Sequence, residues 1–187
     1  MRQSSFLLFI ITLLVLSSCN KKEQTSDIIV EKIAEETPPS SPTSMHEFRS
    51  ATSIDWLGKT YRVIVERKID TSLPIITDDT GAKYYDNRIT MSVLRPDSTT
   101  FFSRDFVKTD FDKYIEQPGY IEKSALLGFI LEKADGDKLQ FAASVGDPDV
   151  LSDEYVPLII TLSSMGKVTI AKDNRLDSYE ETDDEGV

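Results

Sequence analysis

The feature that most constrains the fold of this chain is a series of short alternating segments separated by turn residues. Apolar residues recur at every second position from Tyr61 to Val65, from Ile89 to Val93 and from Leu139 to Val145, and Asp135-Gly136-Asp137 is typical of the turns between such segments. A period of two places alternate side chains on opposite faces of a β-strand. The sequence therefore predicts a mainly β fold, a single antiparallel β-sandwich or small open barrel of about seven or eight strands.

One segment of this region reads as a short helix. Thr109 or Asp110 can cap it, Phe111 and Tyr114 lie on one side, and it ends near Ile115. A parallel α/β fold would need helices between successive strands, so a single helical segment argues against it.

The first 18 residues have the layout of a secretory signal peptide. Arg2 is followed by the apolar run Phe6 to Leu16 and then by two serines. Such a run rises only about 16 Å as a helix, too short for a hydrocarbon core of about 30 Å. Leu16-Ser17-Ser18-Cys19 resembles a bacterial lipobox, which implies cleavage before Cys19 and a diacylglyceryl group on its thiol. The alternative is an ordinary signal peptide followed by an incidental cysteine.

Lipid on Cys19 would hold the mature chain at a bacterial cell envelope. Each buried CH₂ contributes about 0.8 kcal/mol, so two or three acyl chains anchor a small domain almost permanently. We expect the outer membrane. The stretch Asn20-Lys21-Lys22-Glu23 partly resembles the surface-sorting signal of some Bacteroidetes-type lipoproteins, but Lys22 stands where that signal has an acid. The periplasmic and surface faces both stay open.

Composition shifts divide the mature chain into three parts. Residues 19–53 are predicted to be a flexible linker, because Thr37 to Ser44 is rich in Pro, Ser and Thr. Residues 54–175 are predicted to form the β-rich domain, and residues 176–187 are predicted to be an acidic, disordered tail. Cys19 is the only cysteine, so no intramolecular disulfide can form.

The charge of the chain excludes one class of partner. The formal net charge is −11, and removal of Arg2 with the signal makes the mature chain more negative. Nucleic-acid binding rests on neutralising phosphates with Lys and Arg, so no nucleic-acid partner is expected.

No catalytic constellation is present in the sequence. The single histidine, His46, falls in the predicted linker, where nothing would hold it against a nucleophile. The glycines occur singly at turns and form no phosphate loop. A pair of carboxylates acting on a glycan is the one catalytic alternative, but with 32 acids in the chain such a pair can always be found. We therefore expect the protein not to be an enzyme.

Two groups of residues are candidate sites. Asp147, Asp149, Asp153 and Glu154 place four acids in one loop, a set that suits calcium, although an exposed acidic connection between two hairpins explains it better. No other cofactor is predicted.

Tyr84, Tyr85, Asn87 and Arg88 form the second group. Alternation sends the two rings to opposite faces, one toward the core and one toward a sugar or protein partner.

Several stretches together resemble an uncharacterised family of small Bacteroidetes-type lipoproteins. They are Tyr84 to Ile89, Phe106-Val107-Lys108, Phe141 to Val145 and Asp153 to Leu158. The resemblance implies a location at the cell envelope, but it indicates no activity and no site residues. We expect a non-catalytic binding module with a protein or glycan partner. A carboxylate-dependent hydrolase and a purely structural role remain as alternatives.

Overall fold

The computed structural model describes residues 41–175, and every element below lies in that range. The first sheet has the order β1-β2-β5-β6 and is antiparallel throughout. A small antiparallel pair, β3 and β4, lies in the connection between β2 and β5. The strands are β1 (Phe48–Trp56), β2 (Lys59–Ile69), β3 (Ile76–Thr77), β4 (Lys83–Tyr84), β5 (Asn87–Leu94) and β6 (Thr100–Phe106).

Two short helices lead from the first sheet to the second. A 3₁₀ helix covers Lys108–Tyr114, and α1 covers Tyr120–Lys123. The second sheet is also antiparallel, with the order β10-β9-β8-β7. Its strands are β7 (Ala125–Asp135), β8 (Lys138–Gly146), β9 (Tyr155–Ser163) and β10 (Val168–Lys172).

The hydrophobic core lies between the inward faces of the two sheets. Alternation places Val63 and Val65 of β2 in the same buried cluster as Phe141 of β8 and Ile160 of β9. Each large apolar side chain removed from water in this way contributes about 1.5–3 kcal/mol. The core therefore joins the two sheets into one sandwich-like unit.

The aromatic residues complete this core at its ends. Trp56 is buried against Tyr61 and Phe101 in edge-to-face contacts, with ring centroids 5.1 and 5.4 Å away. The 3₁₀ helix places Phe111 over Phe106 at 6.2 Å. As predicted, these rings are packing residues.

The prediction of a mainly β, antiparallel fold is confirmed. Ten strands in three antiparallel sheets are found among residues 41–175, and neither large sheet closes into a barrel. A hairpin of β7 and β8 forms around the predicted turn Asp135-Gly136-Asp137, where Gly136, with φ of 56°, supplies the left-handed conformation.

Three details differ from the sequence prediction. The sequence from Tyr84 to Arg95 reads as one strand, but in the structure it is interrupted after Tyr84, where Asp86 is buried and β5 begins at Asn87. The predicted helix is a 3₁₀ helix that starts at Lys108 and is held by the Asp110 carboxylate, which accepts from the Val107 N–H. Short helices of this kind favour the tighter winding.

The folded region also starts earlier than expected. Residues 48–53 were assigned to the linker, yet they form most of β1 and pair with β2. Thr43 makes a parallel bridge to Tyr84, with hydrogen bonds of 2.7 Å to the Lys83 carbonyl and 2.9 Å from the Tyr85 N–H. The stretch 41–53 therefore belongs to the domain, and not to the linker.

Several sequence predictions fall outside residues 41–175. They are the signal peptide 1–18, lipidation of Cys19, the linker up to residue 40 and the tail 176–187. Within the described range, no helix has the length and apolar character needed to cross a membrane.

Candidate functional site

The four residues proposed for partner contact lie at the junction of β4 and β5. Tyr84 is buried in a small satellite core with Ile76 and Ala125. Desolvation, followed by the negative charges of Asp149 and Asp78, raises the pKa of the Tyr84 phenol. Tyr85 is half-buried.

Asn87 and Arg88 also have partners inside the domain. Asn87 is 1% exposed, and its Nδ2 donates to the Leu126 carbonyl at 3.1 Å. Arg88 pairs with Asp70 at 2.6 Å. Tyr84 and Asn87 thus lie in the interior, and a partner contact through Tyr85 or Arg88 stays a prediction.

A buried ion pair underlies this junction. The Nζ of Lys108 lies 3.4 Å from an Asp86 oxygen and donates to the Ser124 carbonyl at 2.8 Å. Asp86 also accepts from the backbone N–H groups of Asn87 and Leu126, at 2.8 and 3.3 Å. The residues that carried the family resemblance, Asp86 and Lys108 among them, therefore tie the first sheet to the start of the second.

The acidic loop uses its carboxylates mainly on its own backbone. Asp147 accepts from the Asp149 N–H at 3.0 Å, and Asp149 accepts from the Leu151 N–H at 2.9 Å. Asp153 and Glu154 are exposed. Within residues 41–175 no group of three or more potential ligand side chains is arranged to hold a metal ion. Calcium binding by the loop stays a prediction.

A cleft of about 690 Å³ lies on the described domain. It is lined by residues of both large sheets and of the segment after β10. Val65 and Ile89 from the first sheet and Phe129 and Leu158 from the second, each at most 3% exposed, form its apolar floor. The volume falls in the range of about 300–1,000 Å³ that is typical of ligand pockets.

Large apolar side chains are exposed at the mouth of this cleft. Phe48 is 45% exposed, Ile130 56% and Tyr155 47%, and all three line the cleft. They come from β1, β7 and β9 respectively. Exposed apolar side chains grouped in this way mark contact surfaces more often than single scattered ones do.

One side of the cleft carries an ion-pair network. Arg175 lies 2.6 Å from the Asp173 carboxylate and 3.0 Å from that of Glu132. The hydrogen bonds from Arg175 hold the pKa of Asp173 below its ordinary value. The N–H of Asp173 donates to the Pro157 carbonyl at 3.0 Å, which fixes this segment beside β9.

Arg67 supplies a further cation to the cleft wall. One terminal nitrogen donates to the Leu127 carbonyl, and the other donates to the His46 carbonyl at 2.8 Å. His46, expected to be a linker residue without a role, therefore contributes its backbone oxygen. Burial lowers the pKa of Arg67, although a guanidinium remains charged at neutral pH.

The sequence prediction missed the cleft, although one signal was available. The stretch Ala125 to Leu131 is almost continuously apolar, and Val156 to Ile160 is similar. A strand with one solvated face alternates, whereas an unbroken apolar run indicates that both faces are covered or lie beside a cavity.

The comparisons with known proteins agree with one part of the resemblance in the sequence, namely that the family is uncharacterised. The model of the family described as Domain of unknown function (DUF4738) matches residues 28–170, which include both large sheets except the end of β10. No curated protein matches the chain. The chain therefore belongs to the DUF4738 family, an uncharacterised family whose matched region here is an antiparallel β-domain with an apolar cleft.

Proposed function

We propose that this domain is a non-catalytic binding module of the cell envelope and that the cleft receives an apolar group of its partner. The observation that carries the proposal is the exposed set Phe48, Ile130 and Tyr155 around a cleft with an apolar floor. Covering these side chains would remove apolar area from water, at about 25 cal/mol per Å².

The chemistry of the walls favours an apolar group over a sugar. A sugar site combines an aromatic face with several convergent hydrogen-bonding groups. Here the floor is aliphatic and aromatic, and Glu132 and Asp173 are occupied by Arg175. A protein partner, or another ligand with an apolar portion, fits this lining better than a glycan does.

The carboxylate hydrolase is the second candidate function. Glu132 and Asp173 approach each other through Arg175 at the edge of the cleft, which is the only support for it. A glycosidase needs one carboxyl whose pKa is raised so that it can act as the acid. Among residues 41–175, each carboxyl with a clear shift has a lowered pKa, namely Asp70, Asp78, Asp97 and Asp173. This pattern favours binding over hydrolysis.

The proposed function includes a location at the cell envelope. The lipobox-like Leu16 to Cys19 would place the domain at the envelope by a lipid anchor, with the chain after Cys19 connecting the anchor to the domain. Such a module would act on partners within reach of the membrane surface.

Photocrosslinking in intact cells tests the binding function. A photoreactive amino acid is placed at Tyr155 or Ile130, at the mouth of the cleft. The matched control is Met165, which is 87% exposed and does not line the cleft. We expect a discrete crosslinked product from the two cleft positions and none from Met165. Equal products from all three positions, or none, would reject the cleft as the binding surface.

A further inference from the structure

The guanidinium of Arg67 is a cation without an acidic partner in the described domain. Its terminal nitrogens donate to the carbonyls of Leu127 and His46, and its Nε is buried with no hydrogen-bond partner. No Asp or Glu among residues 41–175 forms an ion pair with it. Arg67 is half-buried, and a charge that is partly removed from water gains from a counter-charge, because its desolvation is costly.

The acids that line the same cleft do not balance this charge. Glu132 and Asp173 are engaged by Arg175. Arg67 is bonded at Leu127, which lies five positions before Glu132 on β7, and a strand rises about 3.3 Å per residue. The Glu132 backbone is therefore roughly 16 Å from the position where Arg67 is held. No ion pair joins Arg67 to Glu132 or Asp173, whose carboxylates are bonded to Arg175 instead.

We propose that the cleft binds a fatty carboxylate, with Arg67 pairing the carboxylate head and the apolar floor receiving the hydrocarbon chain. This proposal rests on the proposed binding function and names its ligand class. Val65 and Ile89 lie on the face of the first sheet that continues to Arg67, so head and chain sites adjoin. The exposed Phe48, Ile130 and Tyr155 at the mouth would cover the chain.

The single positive charge favours a carboxylate over a phosphate head. A carboxylate carries one negative charge, which one guanidinium neutralises with two parallel hydrogen bonds. A phosphate monoester carries about −1.5 to −2 at neutral pH. The negative charge of the phosphate that Arg67 leaves unbalanced would meet no further unpaired cation among the described residues of the cleft, and the domain as a whole is acidic.

The test compares a fatty acid probe with its neutral ester. The chain from Asn20 to Val187 keeps every described residue and lacks the anchor cysteine. The probe is 11-(dansylamino)undecanoic acid, and the control ligand is its methyl ester, both followed by fluorescence. We expect the acid to bind at one site per chain, about 10- to 100-fold more tightly than the ester, as a hydrogen-bonded charge pair would give.

Substitution of Arg67 should remove this preference. Arg67→Met should bind acid and ester equally, whereas Arg62→Met should keep the preference, because Arg62 lies on the same strand with its side chain on the opposite, exposed face. Ala142→Phe, which fills the cleft, should weaken both ligands, and Ala171→Phe, exposed on β10, should weaken neither.

A spectroscopic measurement covers the case in which Arg67→Met does not fold. A fatty acid labelled with ¹³C at the carboxyl is titrated while bound to the unaltered chain, and pairing with Arg67 should lower the carboxyl pKa below that of the acid in neutral micelles. An unchanged pKa, or equal binding of acid and ester, would overturn the assignment of Arg67. If neither ligand binds, the fatty carboxylate is wrong, while crosslinks from Tyr155 or Ile130 to an envelope protein would leave the binding function standing.

Discussion

At the scale of single residues, Asp86 and Lys108 form a buried ion pair in which each side chain depends on the other. Both side chains are largely buried, and they join three parts of the chain that are distant in sequence. A buried ion pair adds little compared with apolar packing, but removing one partner leaves a charge that neither water nor protein neutralises.

We expect Lys108→Met to lower the free energy of unfolding by about 3–5 kcal/mol, because Asp86 keeps its two backbone donors and loses its cation. Urea denaturation measures the change. Lys123→Met, which breaks the exposed pair with Asp79, is the matched control and should cost much less, because exposed ion pairs contribute little. Equal losses in the two variants would show that the buried pair has no special weight.

Asp173 makes the stability of the domain depend on pH in the acidic range. Its pKa is lowered by the hydrogen bonds from Arg175, so its stabilising effect is complete above the ordinary carboxyl pKa of about 4. The effect is lost as the pH falls from there through the lowered pKa of the folded state. We expect Asp173→Asn to be less stable than the unaltered chain at pH 7, with the difference shrinking toward pH 3.

Urea denaturation at several pH values between 7 and 3 checks this response. Asp112, an exposed acid whose carboxylate has no partner among the described residues, provides the control substitution Asp112→Asn. A stability difference for Asp173→Asn that stays constant over this pH range would contradict the linkage.

At the scale of elements, the connection between β8 and β9 depends on a close approach at Gly146. A Cβ at this position would overlap the Glu154 carbonyl oxygen and come within 2.6 Å of the Tyr155 Cβ. At Gly128, by contrast, the nearest atom is the Ser144 hydroxyl at 3.2 Å, which belongs to a side chain that can rotate.

Gly146→Ala should therefore lower the free energy of unfolding by about 1–3 kcal/mol, the usual cost of overpacking. Gly128→Ala should be tolerated with a smaller loss. Chemical denaturation of both variants provides the comparison. The close approach at Gly146 would be unimportant if the two substitutions had the same effect.

The elements also show where sequence patterns succeed. The β7–β8 hairpin was predictable because Leu139 to Val145 alternates and Gly136 stands at the turn. The strand β1 was missed because Arg49 to Ser53 consists of small and polar residues, and only Trp56 of that strand is buried. An edge strand whose side chains remain in solvent shows no alternation of apolar and polar residues. Its backbone hydrogen bonds to β2 do not require particular side chains, so they cannot be recognised from the amino-acid composition.

At the scale of the whole molecule, the cleft could not be predicted from the sequence, because its lining residues are far apart along the chain. Phe48, Arg67, Ile130 and Tyr155 are brought together only by the packing of two sheets. The predicted binding residues at 84–88 instead serve the junction between those sheets. Polar and aromatic residues side by side indicate an important position without telling whether it binds a partner or supports the fold.

The early start of the domain leads to a truncation experiment. A chain that begins at Ser41 should unfold cooperatively, whereas one that begins at Ile54 should not, because most of β1 and its pairing with β2 are lost. Circular dichroism during heating measures this. A cooperative transition in the shorter chain, at a similar temperature, would mean that β1 is dispensable and that the predicted boundary was adequate.

The bridge at Thr43 determines which contacts break first when the N-terminal end of the domain is pulled. A pull applied at Ser41 first loads the two hydrogen bonds that join Thr43 to Lys83 and Tyr85. Once they break, the force passes to His46, whose carbonyl holds Arg67 in the cleft wall, before it reaches β1. Tension on the N-terminal side would therefore disturb the cleft before it unravels the sheet, so that a taut chain and a slack one present different binding surfaces.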